Sequence, residues 1–406
     1  MYGEKLNLKD FRNYRQLELG LPRGLVVFEG ENAVGKTSLL EALYLLATTK
    51  SPRAGTEQEL VSLEAEPQFG APAFARLSAE IVRQEGAIEA EILIIRDGEG
   101  SEITPTNSSR KRIKVNGVSR RAVDLIGQIN VVLFSPEDLD LIIGAPALRR
   151  RYLDITLSQI DHRYLRALQE YSRVLAQRNG FLRNQKERRR AGRGTTSSLD
   201  ELAIWDSELV KSGVYIIRRR RECLRGLNER AIGLHANLIG LNSPLTDAMQ
   251  PSFELVYQPS FKLAGVEDEA TLTQRFEAQL KLSHTQELQR GVSLIGPHRD
   301  DFAFMIEGAD IGIYGSRGQQ RTAVLALKLA EVGWMENQTG DPPILMLDDI
   351  LSELDVNRRQ YVLETVQVGA EQVLITTTDL ALFGNHAHLQ QIAALYHVGS
   401  GRVTRL

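Results

Sequence analysis

Near the start of the chain stands the octapeptide Gly30-Glu31-Asn32-Ala33-Val34-Gly35-Lys36-Thr37. It fits the pattern G-x-x-x-x-G-K-[ST], with an apolar strand-like segment, Leu25–Glu29, before it and an apolar helical pattern, Thr37–Thr48, after it. Glycines let backbone N–H groups wrap around phosphates, and the N-terminus of the next helix adds its positive dipole end. The octapeptide therefore predicts a P-loop that binds ATP, with Lys36 on the β- and γ-phosphates and the Thr37 hydroxyl on Mg²⁺.

Two adjacent carboxylates far along the chain would complete this site. The apolar run Ile344–Leu347 is followed by Asp348 and Asp349. Asp348 would hold Mg²⁺ through water, and Asp349 would accept a proton from the attacking water. An apolar strand that ends in two Asp is also compatible with a simple turn. That alternative is weak, because the next segment, Ser352–Asp355, resembles the D-loop of ABC ATPases.

A third motif, Ser316-Arg317-Gly318-Gln319-Gln320, precedes a strong helical pattern. It resembles the ABC signature Ser-Gly-Gly-Gln, with Arg317 where the first Gly normally stands. A Ser at the start of a helix is by itself an ordinary cap. However, Gln320 lies 28 residues before Asp348 (348 − 320 = 28), which is the order of an ABC head. We therefore predict that Ser316, Gly318 and Gln319 contact ATP held by a second copy of the chain.

Lys36 and Asp348 are 312 residues apart (348 − 36 = 312) and must meet on one nucleotide. The two ends of the chain therefore build one head, and the middle is an insertion. The predicted fold is α/β: an ABC/SMC-type P-loop ATPase head, with a mixed sheet and flanking helices, plus an inserted, mainly helical arm. The predicted bounds are 1–120 and 295–406 for the two parts of the head and 121–294 for the arm. Transporter ATPase subunits have a shorter insertion, so this class is disfavoured.

Local periodicity predicts further elements. Alternation in Phe74–Val82 and Ile88–Ile95 indicates an antiparallel sheet with turns at Asp97-Gly98 and Asn116-Gly117. Helical stepping predicts one helix over 148–186 and another over 202–227, and a polar tip at 188–198 joins them. These two helices suggest a protruding hairpin, although a compact bundle gives the same stepping. A second strand pair is predicted at Asp301–Ile306 and Asp310–Ile313.

The composition is that of an ordinary globular protein, with 42% hydrophobic and 25% charged residues among 406. No apolar run approaches the roughly 18 residues needed to span a bilayer, and the N-terminus lacks the apolar segment of a secretory signal. The single cysteine, Cys223, excludes an internal disulfide and a Cys-rich metal site. These features predict a cytoplasmic protein with no membrane partner.

Charge is unevenly distributed, although the net charge of −3 argues against a generally basic, DNA-coating surface. Arginines cluster at 149–151, 188–190 and 218–221, all within the predicted insertion. Such runs are either solvated helix faces or contacts to DNA phosphates. We predict that they line a groove for duplex DNA when two arms come together.

Several segments resemble, in sequence and in order, the RecF family of bacterial ABC/SMC-like ATPases. They are Phe11-Arg12-Asn13-Tyr14, Phe134–Leu139, Arg149–Asp154, Gly296–Asp301, Gly318–Thr322 and Leu347–Asp349. The resemblance covers nearly the whole chain and is vaguest at 188–200 and 235–290. It implies an ATP-dependent DNA-binding protein of replication, gap repair and the SOS response that works with RecR and RecO. As in ABC heads, ATP is expected to be sandwiched in a homodimer that closes on DNA.

Two departures from the general ABC pattern predict slow hydrolysis. The second acid is Asp349 instead of Glu, and Thr376–Thr378 stand where a switch His is usual. A binding module that holds ATP with little turnover is therefore an alternative. Another is a different SMC-like repair ATPase, but this would need far longer arms. The segment His298–Asp301 is either an interdomain charge cluster or, as we favour, a structural cluster whose members satisfy each other.

Overall fold

The computed structural model describes residues 1–67, 72–96, 111–191, 198–240, 253–263, 265, 268–384 and 390–406, with the side chains of 198–200 and 368 left aside. The predicted turn at Asp97-Gly98 and most of the polar tip, 192–197, lie outside the described residues. Among the described helices, none is long and apolar enough to cross a bilayer.

The chain divides into two compact units. Unit 1 comprises Met1–Asp138, Gly233–Gln250 and Thr322–Leu406; unit 2 comprises Leu139–Ile232 and Pro251–Arg321. The limits proposed from the sequence differ from this division, since position 120 falls inside unit 1 and position 294 inside unit 2. At position 294 the difference arises because strands after this position pair with a strand before it, as described below.

The strands are β1 (Tyr2–Phe11), β2 (Tyr14–Gly20), β3 (Gly24–Glu29), β4 (Phe74–Arg83), β5 (Gly86–Ile95), β6 (Lys111–Val115), β7 (Val118–Arg120), β8 (Val131–Phe134), β9 (Phe253–Gln258), β10 (Asp301–Ile306), β11 (Ala309–Asp310), β12 (Ile344–Asp348), β13 (Gln372–Thr377), β14 (Ile392–Gly399) and β15 (Arg402–Arg405). The helices are α1 (Lys36–Thr48), α2 (Ala122–Leu125), α3 (Asp140–Ile143), α4 (Pro146–Ile160), α5 (His162–Arg190), α6 (Ser198–Leu238), α7 (Glu269–Arg290), α8 (Ile311–Tyr314), α9 (Arg317–Thr339) and α10 (Val356–Gly369).

A mixed six-stranded sheet forms the centre of unit 1, in the order β15-β14-β3-β13-β12-β8. Its neighbours are parallel except for the β14–β15 pair, which is antiparallel. β12 and β13 are buried at every position, because a parallel sheet is covered on both faces. The strand before the P-loop, β3, and the strand before the two carboxylates, β12, flank β13, so the two ends of the chain meet in one sheet.

Helix α1 explains why the segment after the P-loop is apolar on nearly all sides. It contacts β8, β12 and β13 of the central sheet and also β4 and β5 of a second sheet, ordered β2-β1-β4-β5-β6-β7. A helix that is hydrophobic all round is one that is buried all round. The second sheet is antiparallel throughout, as predicted. Its predicted turn at Asn116-Gly117 is confirmed, with positive φ at both residues.

In unit 2 the predicted single helix over 148–186 is wrong. The chain leaves the helical conformation at Asp161, with φ −140°, and this residue separates α4 from α5. The Asp161 carboxylate accepts a hydrogen bond from Tyr164 N at 2.9 Å and so caps α5. Sequence periodicity missed the break because apolar stepping continues across it.

Helices α5 and α6 are antiparallel, and both pack against α7. The cluster that joins α6 to α7 contains Val210, Val214, Ile217, Phe261, Leu272, Phe276 and Leu280. A second cluster brings together Leu182 of α5, Leu202 of α6 and Leu288 of α7. Where α7 packs against α5 and α6, the arrangement is therefore a compact bundle, because this third helix covers the hairpin.

A three-stranded antiparallel sheet, β11-β10-β9, completes unit 2. The predicted strand Asp301–Ile306 is confirmed. The predicted strand Asp310–Ile313 is wrong, because β11 ends at Asp310. The Asp310 carboxylate accepts a hydrogen bond from Gly312 N at 2.8 Å and caps α8.

Two of the three arginine runs contain side chains that form ion pairs and hydrogen bonds within unit 2. Arg149 makes a two-pronged ion pair with Asp301, at 2.7 and 2.8 Å. Arg220 is buried and donates to Asp154 Oδ1 at 2.8 Å and to the carbonyl oxygen of Pro297 at 2.6 Å. Arginines paired in this way satisfy buried acceptors. We therefore remove these two side chains from the set predicted to contact DNA.

The segment His298–Asp301 has the structural role favoured from the sequence, but its members do not satisfy one another. Asp300 is fully buried and accepts hydrogen bonds from Tyr257 OH and from Ser260 N. His298 Nδ1 lies 2.7 Å from Tyr171 OH. These contacts all lie within unit 2 and join its loops, its sheet and α5.

Candidate nucleotide-binding site

The P-loop connects β3 to α1 in a conformation that requires glycine at two points. Gly35 has φ +115°, and a Cβ there would lie 2.3 Å from Asn13 Nδ2. A Cβ at Gly30 would lie 2.3 Å from the carbonyl oxygen of Val398. Ala33 also has positive φ, at 64°. Left-handed residues within such a loop help to turn successive N–H groups toward one concavity, where an anion binds.

The Lys36 ammonium lies over its own loop. It is buried and donates to the carbonyl oxygens of Gly30 at 2.6 Å and Glu31 at 2.7 Å. Burial lowers the pKa of Lys36, while the nearby carboxylates of Asp349 and Asp348 act in the opposite direction. The charge is therefore held at the P-loop by backbone acceptors and by the acidic pair.

The two distant halves of the predicted site meet in unit 1. The Thr37 hydroxyl donates to Asp348 Oδ1 at 2.9 Å, across 311 positions of sequence. Asp348 is buried at the end of β12. A hydroxyl that gives its proton to a carboxylate turns its lone pairs outward, as a ligand of Mg²⁺ must. This arrangement fits the metal-binding role predicted for Thr37 and Asp348.

Thr376, a residue to which the sequence assigned no role, lies on the strand between the P-loop strand and the strand of Asp348. It is the last residue but one of β13 and is paired in register with Asp348. Its hydroxyl donates to Asp348 Oδ1 at 2.7 Å and accepts from Asp349 N at 2.9 Å. The only available signal was the run of three threonines that ends an apolar strand. The sequence does not say which of them faces the acids.

Asp349 has two properties of a reactive group. Its backbone is left-handed, with φ 54°, and its Oδ1 is buried with no hydrogen-bond partner among the described residues. Burial raises its pKa, Lys36 opposes this change, and Asp348 adds to it. A carboxylate with a raised pKa is a better proton acceptor. The unsatisfied Oδ1, the loop geometry and the Thr37–Asp348 contact together fit a bound nucleotide with Mg²⁺.

The motif Phe11–Tyr14 supports the P-loop from the neighbouring β1–β2 turn. Asn13 Nδ2 donates to the Val34 carbonyl oxygen at 2.7 Å, and Tyr14 OH donates to that of Gly35 at 3.0 Å. Arg12 makes a two-pronged ion pair with Glu41 of α1, at 2.9 and 2.7 Å. The sequence showed this motif as a family likeness, but its chemical role depends on contacts between distant segments.

The signature-like residues form a separate group in unit 2. Ser316 is exposed at the start of α9, where its N–H donates to Gln319 Oε1 at 2.9 Å. Gln319 N donates in return to Ser316 Oγ at 3.3 Å. This is a reciprocal capping box, which satisfies two N–H groups of the helix start. The action of Ser316, Gly318 and Gln319 on a second copy stays a prediction.

Known proteins resemble this chain over its whole length. The family model described as RecF/RecN/SMC N terminal domain matches residues 2–401. The DNA replication and repair protein RecF of Herpetosiphon aurantiacus is 47% identical over 99% of both chains, and that of Roseiflexus castenholzii is 45% identical over 93% of both.

Solved structures show the same likeness. The recombination mediator protein RecF with ATPrS, from the RecFOR pathway, is 29% identical and aligns with 100% of this chain and 98% of its own, with a TM-score of 0.83. An Smc head domain derived from Pyrococcus furiosus, 15% identical, aligns with 100% of this chain and 96% of its own, with a TM-score of 0.54, and shares the fold. These matches confirm the predicted α/β head of the ABC/SMC type.

Proposed function

The chain belongs to the RecF family, and we propose on this basis that it is an ATP-dependent DNA-binding protein of replication and recombinational repair, active in gap repair and the SOS response. The observation that carries the proposal is the hydrogen bond of 2.9 Å between Thr37 and Asp348. It joins the P-loop to the carboxylate that such a loop needs for a metal–nucleotide complex. The unit that contains this contact has both halves of a phosphate-binding site.

Each residue of the site has a defined task in this proposal. The backbone N–H groups of 30–37 and the Lys36 ammonium bind the phosphates, and Thr37 and Asp348 hold Mg²⁺. When bound there, Mg²⁺ would supply positive charge against the phosphate oxygens. Asp349 accepts the proton of the attacking water. Hydrolysis is slow, because the shorter Asp reaches less far than the usual Glu and no switch His assists it.

We further propose that ATP closes a homodimer. In this arrangement Ser316, Gly318 and Gln319 of one copy contact the γ-phosphate bound by Lys36 of the other. The exposed N-terminus of α9 supports this role, since the positive dipole end of a 23-residue helix attracts an anion. Closure brings two helical units together on duplex DNA near single-strand gaps. The expected partners are RecR- and RecO-type proteins in the cytoplasm, with no membrane.

DNA binding as a function of nucleotide tests the proposal. Fluorescence anisotropy of a labelled gapped duplex is measured with ATP, with ADP and without nucleotide, at two salt concentrations. ATP should tighten binding, and Lys36→Met should remove the effect of ATP. The proposal fails if the wild-type protein binds DNA equally well in all three nucleotide states.

A second candidate is a module that holds ATP as a structural element with little turnover. The replacement of the usual Glu by Asp349 favours it. Asp349→Asn distinguishes the two in a steady-state ATPase assay with DNA present. A wild-type rate that the variant lowers supports the hydrolysing clamp. Equal rates in the two proteins support the structural module.

A further inference from the structure

The hydroxyl of Thr376 contacts both acidic residues of the site, the carboxylate of Asp348 and the backbone N–H of Asp349. Its strand, β13, separates the P-loop strand from the acid strand, and its side chain is fully buried. A hydroxyl has one proton to donate and lone pairs with which to accept. Thr376 uses the proton on Asp348 Oδ1 and accepts from Asp349 N. Both neighbouring acids are therefore tied to a single oxygen atom.

These two hydrogen bonds have different effects on the acids. Asp348 Oδ1 receives the protons of both Thr37 and Thr376, at 2.9 and 2.7 Å. The carboxylate plane is thus fixed from two sides, and Oδ2 is left for the water shell of a metal. The bond from Asp349 N anchors a non-glycine residue in the left-handed region, a conformation that is unfavourable for a residue with a Cβ unless it is held.

We propose that Thr376 is a positioning residue for the Mg²⁺–nucleotide site, orienting Asp348 toward the metal and holding the backbone turn that aims Asp349. The inference rests on the proposed function of the site as a binder of Mg²⁺ and ATP. Thr376 itself touches neither ligand. It acts through the Asp348 carboxylate and the Asp349 backbone, much as outer-shell partners fix the ligands of a metal.

Thr377 provides a matched control in the same strand. It is also fully buried, and its hydroxyl donates to the Asp379 carbonyl oxygen at 3.0 Å and accepts from Asp379 N at 3.2 Å. Thr376 and Thr377 therefore have equal burial and the same number of hydrogen bonds. They differ in what they hold, because the bonds of Thr377 go to the backbone of the following turn and those of Thr376 go to the acidic pair.

The experiment compares Thr376→Val, Thr376→Ser and Thr377→Val in the full-length chain. Valine keeps the shape of threonine and removes the hydroxyl, whereas serine keeps the hydroxyl. Mn²⁺ replaces Mg²⁺ as a probe, and its binding with ATP is titrated by the loss of the free Mn²⁺ signal in electron paramagnetic resonance. Affinity for a fluorescent ATP analogue is measured separately in excess EDTA, and thermal unfolding confirms that each variant folds.

Thr376→Val should weaken Mn²⁺ binding by about 10-fold to 100-fold, the usual effect of losing an outer-shell partner. Affinity for the nucleotide in EDTA should stay unchanged, because the P-loop is untouched. Thr376→Ser should restore Mn²⁺ binding, and Thr377→Val should bind as the wild type does. If Thr376→Val does not fold, Thr376→Ala carries the same comparison.

Three results overturn the inference: wild-type Mn²⁺ affinity in Thr376→Val, failure of serine to rescue, or an equal loss in Thr377→Val. Failure of the proposed function has a different signature. In that case the wild-type protein binds no ATP analogue with Mg²⁺, or Lys36→Met binds it equally well. The two failures are therefore separated by the behaviour of the wild-type protein and of the Lys36 variant.

Discussion

Replacing Arg188, Arg189 and Arg190 together by Gln should weaken the ATP-dependent binding of DNA and reduce its salt dependence. These side chains lie exposed in the last turn of α5. Among the described residues none of the three has an ion-pair partner, in contrast to Arg149 and Arg220. Exposed, unpaired arginines remain available to phosphates, so this run is the strongest candidate among the three for contact with DNA.

The size of the effect follows from counterion release. Each phosphate contact contributes about 0.9 to the slope of log K against log salt, so three contacts contribute about 2.7 per protomer and about 5.4 in a closed dimer. For the closed dimer that forms with ATP, a slope change of about 5.4 corresponds to about a 2,000-fold change in affinity over a fourfold rise in salt. The ATP affinity should not change, because the P-loop belongs to the other unit.

The assay is a salt titration of duplex binding by anisotropy, with ATP, for the wild type and the triple variant. The control removes three positive charges from unit 1, by Lys5→Gln, Arg15→Gln and Arg23→Gln, and has the same net charge as the test variant. A smaller slope in the test variant alone supports contact at the end of α5. Identical slopes in the wild type and the test variant would refute the reasoning, as would equal losses in test and control.

Three further predictions concern the nucleotide, the dimer and the pH dependence of stability. Lys36→Met removes the charged donor from the P-loop and should weaken ATP binding by about 10-fold to 100-fold, measured by calorimetry; unchanged affinity contradicts the role of Lys36. Ser316→Arg should keep a monomer in light scattering with ATP, while ATP affinity stays as in the wild type; a dimer as stable as that of the wild type contradicts action in trans. Burial lowers the pKa of His298 from 6.5 to about 4, so its neutral form stabilises the fold fully above pH 6.5 and this contribution is lost as the pH falls toward 4. The free energy of unfolding, measured with urea, should fall less between pH 6.5 and 4 in His298→Asn than in the wild type, by up to about 3 kcal/mol. An unchanged pH profile would exclude His298 as the cause.

Much of the fold could be predicted from local patterns. Alternation identified β4 and β5, and apolar runs identified β3, β12 and β13, because a strand buried on one or both faces must carry a matching hydrophobic pattern. The break at Asp161 and the helix at Ile311 could not be predicted in this way. Both depend on a single carboxylate that caps a helix, and the apolar stepping around it does not change.

The sequence by itself identified the candidate residues of the proposed site: the P-loop, the acids Asp348 and Asp349, and the signature-like Ser316. Phosphate and metal binding demand particular residue types at fixed local spacing, so these motifs can be recognised without a structure. Only the tertiary structure decided that Thr376 holds the acidic pair and that Arg149 and Arg220 are internal ion-pair partners. The reason is that strand order and burial arise from packing between segments hundreds of residues apart, which no local pattern records.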